Sequence, residues 1–364
     1  MPSSANTSSP AEPIRILVTG ANGFVGRHLI AELINSSAQT STDTESEEPE
    51  QASAPIRIFA AVHTERTSTT SGAPFLSPEI GWIGDNQGDA VAQIEFDIDS
   101  PESILNMIKI AQPHQIYHLA GRASAADTDR EMMVRTNSEG VRQVLDAASE
   151  ISPFPRTLLI SSGYVYGDVP PDRPAREEDP IGPLWRHGAY VDSKIEMENI
   201  ARGYRAFAFT ARSFAHTGPG QRPTFAIPSF AQQLAKMELG VLPPTLRVGN
   251  LEAKRDILDV RDVVRAYRLL MQLAEPGNSY NVASGKAVSI REALDILRKS
   301  CTLQTDLTVD PANLRAADIQ CSTGDTLRIW ALTGWLPRYS LEDTLLDTLN
   351  YWRDQVRKEL GSKT

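Results

Sequence analysis

Tyr190 and Lys194 stand four residues apart in the run GAYVDSK, residues 188–194. On a helix, positions i and i+4 are neighbours on one face, so a phenol and an ammonium would share one surface there. A lysine cation beside a tyrosine favours phenolate over phenol and draws the tyrosine pKa down from its ordinary value of about 10. Such a tyrosine exchanges a proton with a substrate oxygen. The same spacing also occurs on plain exposed helices, so the chemistry depends on what the rest of the chain places around it.

A second motif is TGANGFVG, in which Gly20, Gly23 and Gly26 follow the apolar run IRILVT and open a segment with helical apolar spacing from Phe24 onward. In a strand-to-helix turn Gly20 permits the tight bend, Gly23 lets backbone approach a pyrophosphate, and Gly26 lets the helix close on the sheet. The diphosphate would then rest on the helix N-terminus, at Phe24 and Val25. The spacing G-x-x-G-x-x-G differs from the commoner G-x-G-x-x-G, and with it the chain resembles the extended short-chain dehydrogenase/reductase family. The resemblance implies an adenine contact at Asp97 and Ile98, which close the run QIEFD; the residues alone fit a strand-end turn acid equally well. It passes the run His118–Gly121, with Leu119, Ala120 and Gly121, beneath a nicotinamide. In LLISSGYVYG it places Ser162 on the catalytic serine or threonine, where a hydroxyl at the end of a central strand faces the ligand crevice. Glycine motif, serine strand and Tyr-x-x-x-Lys occur in the family's order. The resemblance then implies that Ser162 holds the reacting oxygen, Tyr190 handles the proton, and Lys194 binds the nicotinamide ribose and lowers the tyrosine pKa, with hydride exchanged with the cofactor.

Sugar-nucleotide 4,6-dehydratases of that family carry a glutamate two positions after the serine or threonine. Here Gly163 and then Tyr164 follow Ser162, so elimination of water lacks its acid, whereas carbonyl reduction or alcohol oxidation needs only the three residues already named. The segments RSFAHTGPGQ, NLEAKRDILDVRDVVRAY and TGWLPRYSLEDTLLDTLNYWR are similar to those of the GDP-4-dehydro-6-deoxy-mannose reductases, and the likeness runs from about residue 14 to 355. It implies a GDP-sugar substrate between two lobes, Ser124 and Ser162 near the sugar, and Arg255 and Arg315 on the nucleotide, where a guanidinium bridges diphosphate oxygens. Each arginine could instead pair with a nearby acid, Asp256 or Asp318. Ala215 departs from the asparagine usual in the run F-N-H-T-G-P-G-Q. After the second strand come His63, Thr64, Glu65 and Arg66; Arg66 suits the 2′-phosphate of NADPH and Glu65 suits NADH, with NADPH preferred. Relatives pair helices into a bundle, which implies a homodimer through residues 128–150 and 187–203. Two rivals stand beside the reductase: a C4 epimerase that keeps NAD bound, and a non-catalytic dinucleotide-binding regulator.

The elements that must position these residues alternate. Strand patterns at 14–19, 56–62, 93–97, 115–120, 157–161 and 206–212 are interleaved with helical ones near 101–111, 128–150 and around Tyr190. That order predicts an α/β fold, a doubly wound parallel Rossmann sheet. Residues 13–212 form the dinucleotide-binding domain, and 213–364 form a smaller mixed α/β substrate lobe with returns to the main sheet. Helices are expected near 227–239, 260–273, 289–300 and 341–359. Residues 1–12 read as a disordered leader, and the acidic stretch 38–55 as a disordered insertion. With 41% hydrophobic residues in 364 the chain is long enough for one large core, and a net charge of −10 argues against nucleic acid or an anionic membrane as partner. No apolar run reaches membrane-spanning length, and the two cysteines, Cys301 and Cys321, have no metal-type spacing and read as reduced, which points to the cytoplasm. His114 and His118 lack a third ligand, so no metal is expected; they read as a turn residue and a core residue.

Overall fold

A computed structural model of the chain describes residues 12–39, 55–63, 91–123, 129–170, 172–182, 188–313 and 319–361. The leader before residue 12, residues 40–54 of the acidic stretch, and the predicted ligand contacts Arg66, Ser124 and Arg315 lie outside the described residues. The first half of the chain runs β1 (Ile14–Thr19), α1 (Phe24–Gln39), β2 (Ile56–His63), β3 (Val91–Phe96), α2 (Pro101–Ala111), β4 (Gln115–His118), α3 (Arg130–Val134), α4 (Gly140–Ser149), β5 (Arg156–Ser162), α5 (Gly188–Ala201) and β6 (Ala208–Ser213). It continues β7 (Ala215–Thr217), α6 (Ala226–Glu238), β8 (Thr245–Val248), β9 (Lys254–Asp259), α7 (Val260–Leu273), β10 (Ser279–Val282), β11 (Ala287–Ser289), α8 (Ile290–Lys299), β12 (Asp306–Val309), β13 (Cys321–Ser322), α9 (Leu327–Thr333) and α10 (Leu341–Gly361).

Seven strands form one parallel sheet in the order β10-β6-β5-β4-β1-β2-β3. Strands buried on both faces need apolar side chains on both, which is why IRILVT and TLLIS read as continuous apolar runs. Winding outward in opposite directions from β1 and β4 leaves a crevice beyond the C-terminal ends of those two strands, the place where open α/β sheets bind ligands. On one face α1 and α7 pack through Leu29, Ile30, Val263, Tyr267 and Leu270; on the other α2, α4 and α5 pack through Ile104, Met107, Val144, Leu145 and Met197.

Several element ends differ from the sequence reading. The first helix reaches Gln39, two residues into the stretch read as disordered. Strand β4 stops at His118 because Leu119 N–H turns to the Thr19 carbonyl (3.2 Å) and Ala120 N–H to the Thr19 hydroxyl (3.1 Å). The helix expected over 128–150 begins at Arg130 and is split by a π-helical turn, Arg135–Glu139. Inside that turn buried Asn137 donates to the Arg122 carbonyl and accepts from Arg122 N–H (3.0 and 2.8 Å). Helix α8 starts on a reciprocal cap: the Ser289 hydroxyl takes the Glu292 N–H and the Glu292 carboxylate takes the Ser289 N–H.

Beyond β6, strand β9 lies between β11, antiparallel, and β13, parallel, and further along pairs in parallel with β7, while β8 and β12 form a separate parallel pair. Helices α6, α8 and α10 close a second core around Phe230, Leu234, Leu294, Leu349 and Trp352. Among the described residues no helix is long and apolar enough to cross a membrane.

Candidate active site

At the end of β1 the chain turns through Gly20, whose φ of +67° is in the left-handed region. A Cβ there would stand 2.8 Å from Ala120 N, so only glycine lets the first loop lie against the end of β4. A Cβ on Gly26 would stand 2.3 Å from the Gly20 carbonyl oxygen, so α1 closes directly on the turn. Gly23 N–H donates to that same oxygen (2.9 Å). The glycine turn and the opening N–H groups of α1 therefore form a cradle beside the sheet crevice, which fits the diphosphate of a dinucleotide.

The other predicted cofactor contacts divide. The Phe24 ring is stacked with His216 (6.2 Å between centroids) and meets His28 edge-on, while Val25 packs against the core, so both would meet a diphosphate through backbone. Asp97 is exposed and its carboxylate accepts Asp99 N–H (2.9 Å) in a turn; Ile98 is buried, and a Cβ on Gly140 would touch its Cγ1 at 2.6 Å. Ile98 is thus a core side chain. Leu119 and Ala120 line the step from β4 to the first loop, and a Cβ at Gly121 would collide with Asn137 Oδ1 at 2.7 Å. His114 accepts Arg15 N–H at Nδ1 (3.0 Å), and His118 sits in the core on the Thr19 hydroxyl (3.0 Å). Burial, with Lys194 nearby, lowers the His118 pKa to about 3 and keeps the ring neutral. No cluster with metal-ligating composition occurs among the described residues.

Ser162 ends β5 and Tyr190 and Lys194 lie on α5, and the fold brings the three together. The Ser162 hydroxyl accepts Tyr164 N–H (3.2 Å) and lies close enough to the Tyr190 phenol to oppose the rise in its pKa. Lys194 Nζ stands 5.9 Å from the Tyr190 ring centroid and donates to the Ile160 carbonyl (2.8 Å). The expected lowering of the tyrosine pKa by Lys194 does not occur in this state. Burial pushes Tyr190 up to about 12, opposed by Ser162 and reinforced by the Tyr164 phenol. Burial also brings Lys194 down to about 8, opposed by Glu198. Desolvation outweighs pairing here because the ammonium faces a main-chain carbonyl.

Beneath this group lies a buried network that the sequence reading missed. Glu198, one further helical turn along from Lys194, accepts from Arg212 Nη2 (2.7 Å) and from the Ser161 hydroxyl (2.5 Å). Arg212 also donates to the Tyr166 hydroxyl (2.8 Å), which donates to Asn281 Oδ1 (2.8 Å). Asn137 donates to the Ser193 hydroxyl on α5 (3.0 Å). The four-residue step from Lys194 to Glu198 was a readable signal; the partner Arg212, on a different element, was not.

Toward the lobe a cavity of about 310 Å³ is lined by Tyr164, Ala215, His216, Asn250 and Arg255 among others. Arg255 is buried, its Nε donating to the Tyr164 phenol (3.0 Å) and its Nη1 to the Lys254 carbonyl (2.9 Å). Asp256, the alternative partner, points away: its buried carboxylate accepts from Ser284, Gly285, Thr323 and Gly324. Ala215, which stands where an asparagine is usual, lines the cavity and offers it no side-chain hydrogen-bonding group.

A model of the NAD dependent epimerase/dehydratase family matches residues 16–283. Among characterised proteins, the GDP-6-deoxy-D-mannose reductase of Pseudomonas aeruginosa is 30% identical over 95% of this chain and 99% of its own length. A GDP-mannose 4,6-dehydratase of Yersinia enterocolitica is 22% identical over 68% of this chain and 75% of its own. Among solved structures, that of RMD from Pseudomonas aeruginosa complexed with NADPH superposes with a TM-score of 0.72 at 28% identity, covering 94% of this chain and 99% of that one.

Proposed function

The chain belongs to the NAD dependent epimerase/dehydratase family, and from that membership we propose that it is a reductase of a GDP-4-keto-6-deoxyhexose, yielding a GDP-6-deoxyhexose such as GDP-rhamnose. The observation that carries this reading is Ser162 at the end of β5 facing Tyr190 and Lys194 on α5, with Lys194 Nζ 5.9 Å from the Tyr190 ring, and a tyrosine and not a carboxylate at position 164. The likeness to a GDP-6-deoxy-D-mannose reductase and to an NADPH complex supports the substrate and the cofactor.

The glycine cradle at Gly20, Gly23 and Gly26 would hold the dinucleotide diphosphate, with Leu119, Ala120 and Gly121 alongside and Arg66 assigned to the 2′-phosphate. When bound, NADPH supplies the hydride that reduces the ketone carbon. Ser162 donates a hydrogen bond to the ketone oxygen. Tyr190 gives that oxygen its proton as the carbonyl becomes an alcohol, and the charge left on the phenol is stabilised by Ser162 and the nearby Lys194. A phenol held near pKa 12 enters the reaction fully protonated, which the reductive direction requires. Arg255, and Arg315 with it, would hold the GDP diphosphate, with Ser124 toward the sugar.

The test is to mix pure protein with NADPH and enzymatically made GDP-4-keto-6-deoxymannose and follow cofactor absorbance. Loss of NADPH in proportion to added ketose is expected. No loss sinks the proposal, and turnover of a GDP-hexose on copurified NAD without net consumption would point to an epimerase instead.

A pH profile tests the roles separately. Lys194 carries its charge below about pH 8 and loses it above, while Tyr190 keeps its proton throughout that window. The rate of reduction at saturating NADPH is therefore expected to hold level up to about pH 8 and to decline beyond it. A profile that stays flat past pH 10 contradicts the part given to Lys194.

A further inference from the structure

Tyr164 joins two parts of the site that the fold otherwise holds on different elements. Its N–H donates to the Ser162 hydroxyl (3.2 Å), and its phenol accepts Arg255 Nε (3.0 Å), with the guanidinium carbon 5.6 Å from the ring centroid. Ser162 ends β5 of the central sheet, whereas Arg255 belongs to β9 of the lobe, 91 residues further along the chain than Tyr164. Tyr164 is also close enough to Tyr190 to raise its pKa.

The residue has little freedom to move. It lies in the tight 3₁₀ turn Gly163–Tyr166, where a Cβ on Gly163 would strike the Phe214 ring at 2.7 Å. The turn is closed by Gly167 N–H on the Tyr164 carbonyl (3.0 Å), with Gly182 N–H on the Val165 carbonyl beside it (2.7 Å). A tyrosine side chain adds only two rotatable bonds to a backbone fixed in this way.

We propose that Tyr164 is a positioning residue that fixes Arg255 at a set distance from Ser162, so that seating a diphosphate on the arginine places the sugar carbonyl against the serine. The inference rests on the reading of the site as a sugar-nucleotide reductase. It makes the tyrosine at the dehydratase glutamate position a specificity element: it favours sugar nucleotides whose reacting carbon lies one pyranose ring away from the phosphate. A ketone without the diphosphate would be aligned by Ser162 and Tyr190 alone.

Tyr164→Phe keeps the ring packed beside Phe214 and removes only the acceptor for Arg255. Calorimetric affinity for GDP is expected to fall about tenfold, as loss of a hydrogen bond to a charged group does. At saturating ketose and NADPH, kcat is expected to fall about tenfold as well, because a bound diphosphate no longer fixes the carbonyl. Affinity for NADPH stays as in the natural chain, and the urea midpoint falls only by what loss of that one hydrogen bond brings. In an Arg255→Ala background the same substitution has no further effect on GDP affinity, since the two residues act as one unit. Unchanged GDP affinity in a folded Tyr164→Phe protein, unchanged kcat at saturation, or additivity with Arg255→Ala overturns the inference alone. A natural chain that binds GDP but consumes no NADPH with the ketose overturns the reductase reading while the binding coupling is still measured. One that binds none of GDP, UDP or dTDP overturns both.

Discussion

Replacing Tyr190 with phenylalanine is expected to lower kcat for ketone reduction by between about 10²- and 10⁴-fold, the span over which a positioned proton donor acts. The phenylalanine ring fills the same partly buried place beside Val165, Val191 and Phe214, so folding should be preserved. What disappears is the hydroxyl that neighbours Ser162. NADPH affinity, read by fluorescence titration, should change little because the glycine cradle is untouched. Single-turnover measurement at saturating NADPH and ketose would show the deficit in the chemical step. A tyrosine-less enzyme that retains more than a tenth of the natural kcat would remove this residue from the reaction, and the donor would have to be sought elsewhere in the crevice.

The second large effect concerns stability. Arg212 and Glu198 are both buried, and each is tied to further groups: Arg212 to Tyr166 and the Glu177 carbonyl, Glu198 to Ser161. Arg212→Met would strand a carboxylate in the core, and breaking a buried pair from one side costs about 3–5 kcal/mol. Urea denaturation should show that loss. Replacing both residues, as Arg212→Met with Glu198→Leu, should recover part of it, because no lone charge remains. Glu198 also raises the Lys194 pKa. Glu198→Gln should therefore move the alkaline decline of activity toward lower pH. A single-site loss below about 1 kcal/mol would show that water reaches the pair and that it contributes as a surface bridge does.

The parallel sheet was legible because strands buried on both faces must be apolar throughout, so IRILVT and TLLIS stand out from their surroundings. The glycine turn was legible because a strand followed by Gly20, Gly23 and Gly26 and then a helical period admits few other structures. Tyr190 and Lys194 were legible by spacing, since one helix carries both. Their protonation was not. The sequence puts an ammonium near a phenol but does not reveal that Lys194 turns to the Ile160 carbonyl or that desolvation pushes both groups toward their neutral forms. Partners far apart in the chain were equally hidden: Tyr164 and Arg255 meet only because β9 of the lobe comes up beside the turn after β5. The split in the helix at Asn137 depends on the Arg122 backbone fitting its amide, which no periodicity reports.

The edge strand β10 is supplied by residues 279–282, on the far side of β7 to β9 and α6 to α7, yet it pairs with β6 through Ser279 to Val282. The polypeptide leaves the sheet after β6 and comes back to finish it. During synthesis residues through Val282 must therefore emerge before the last rung can form, and until then the flank of β6 offers unpaired amides to any neighbour. A fragment cut at residue 213 would be born with that flank bare, and it should aggregate more readily than the intact chain does.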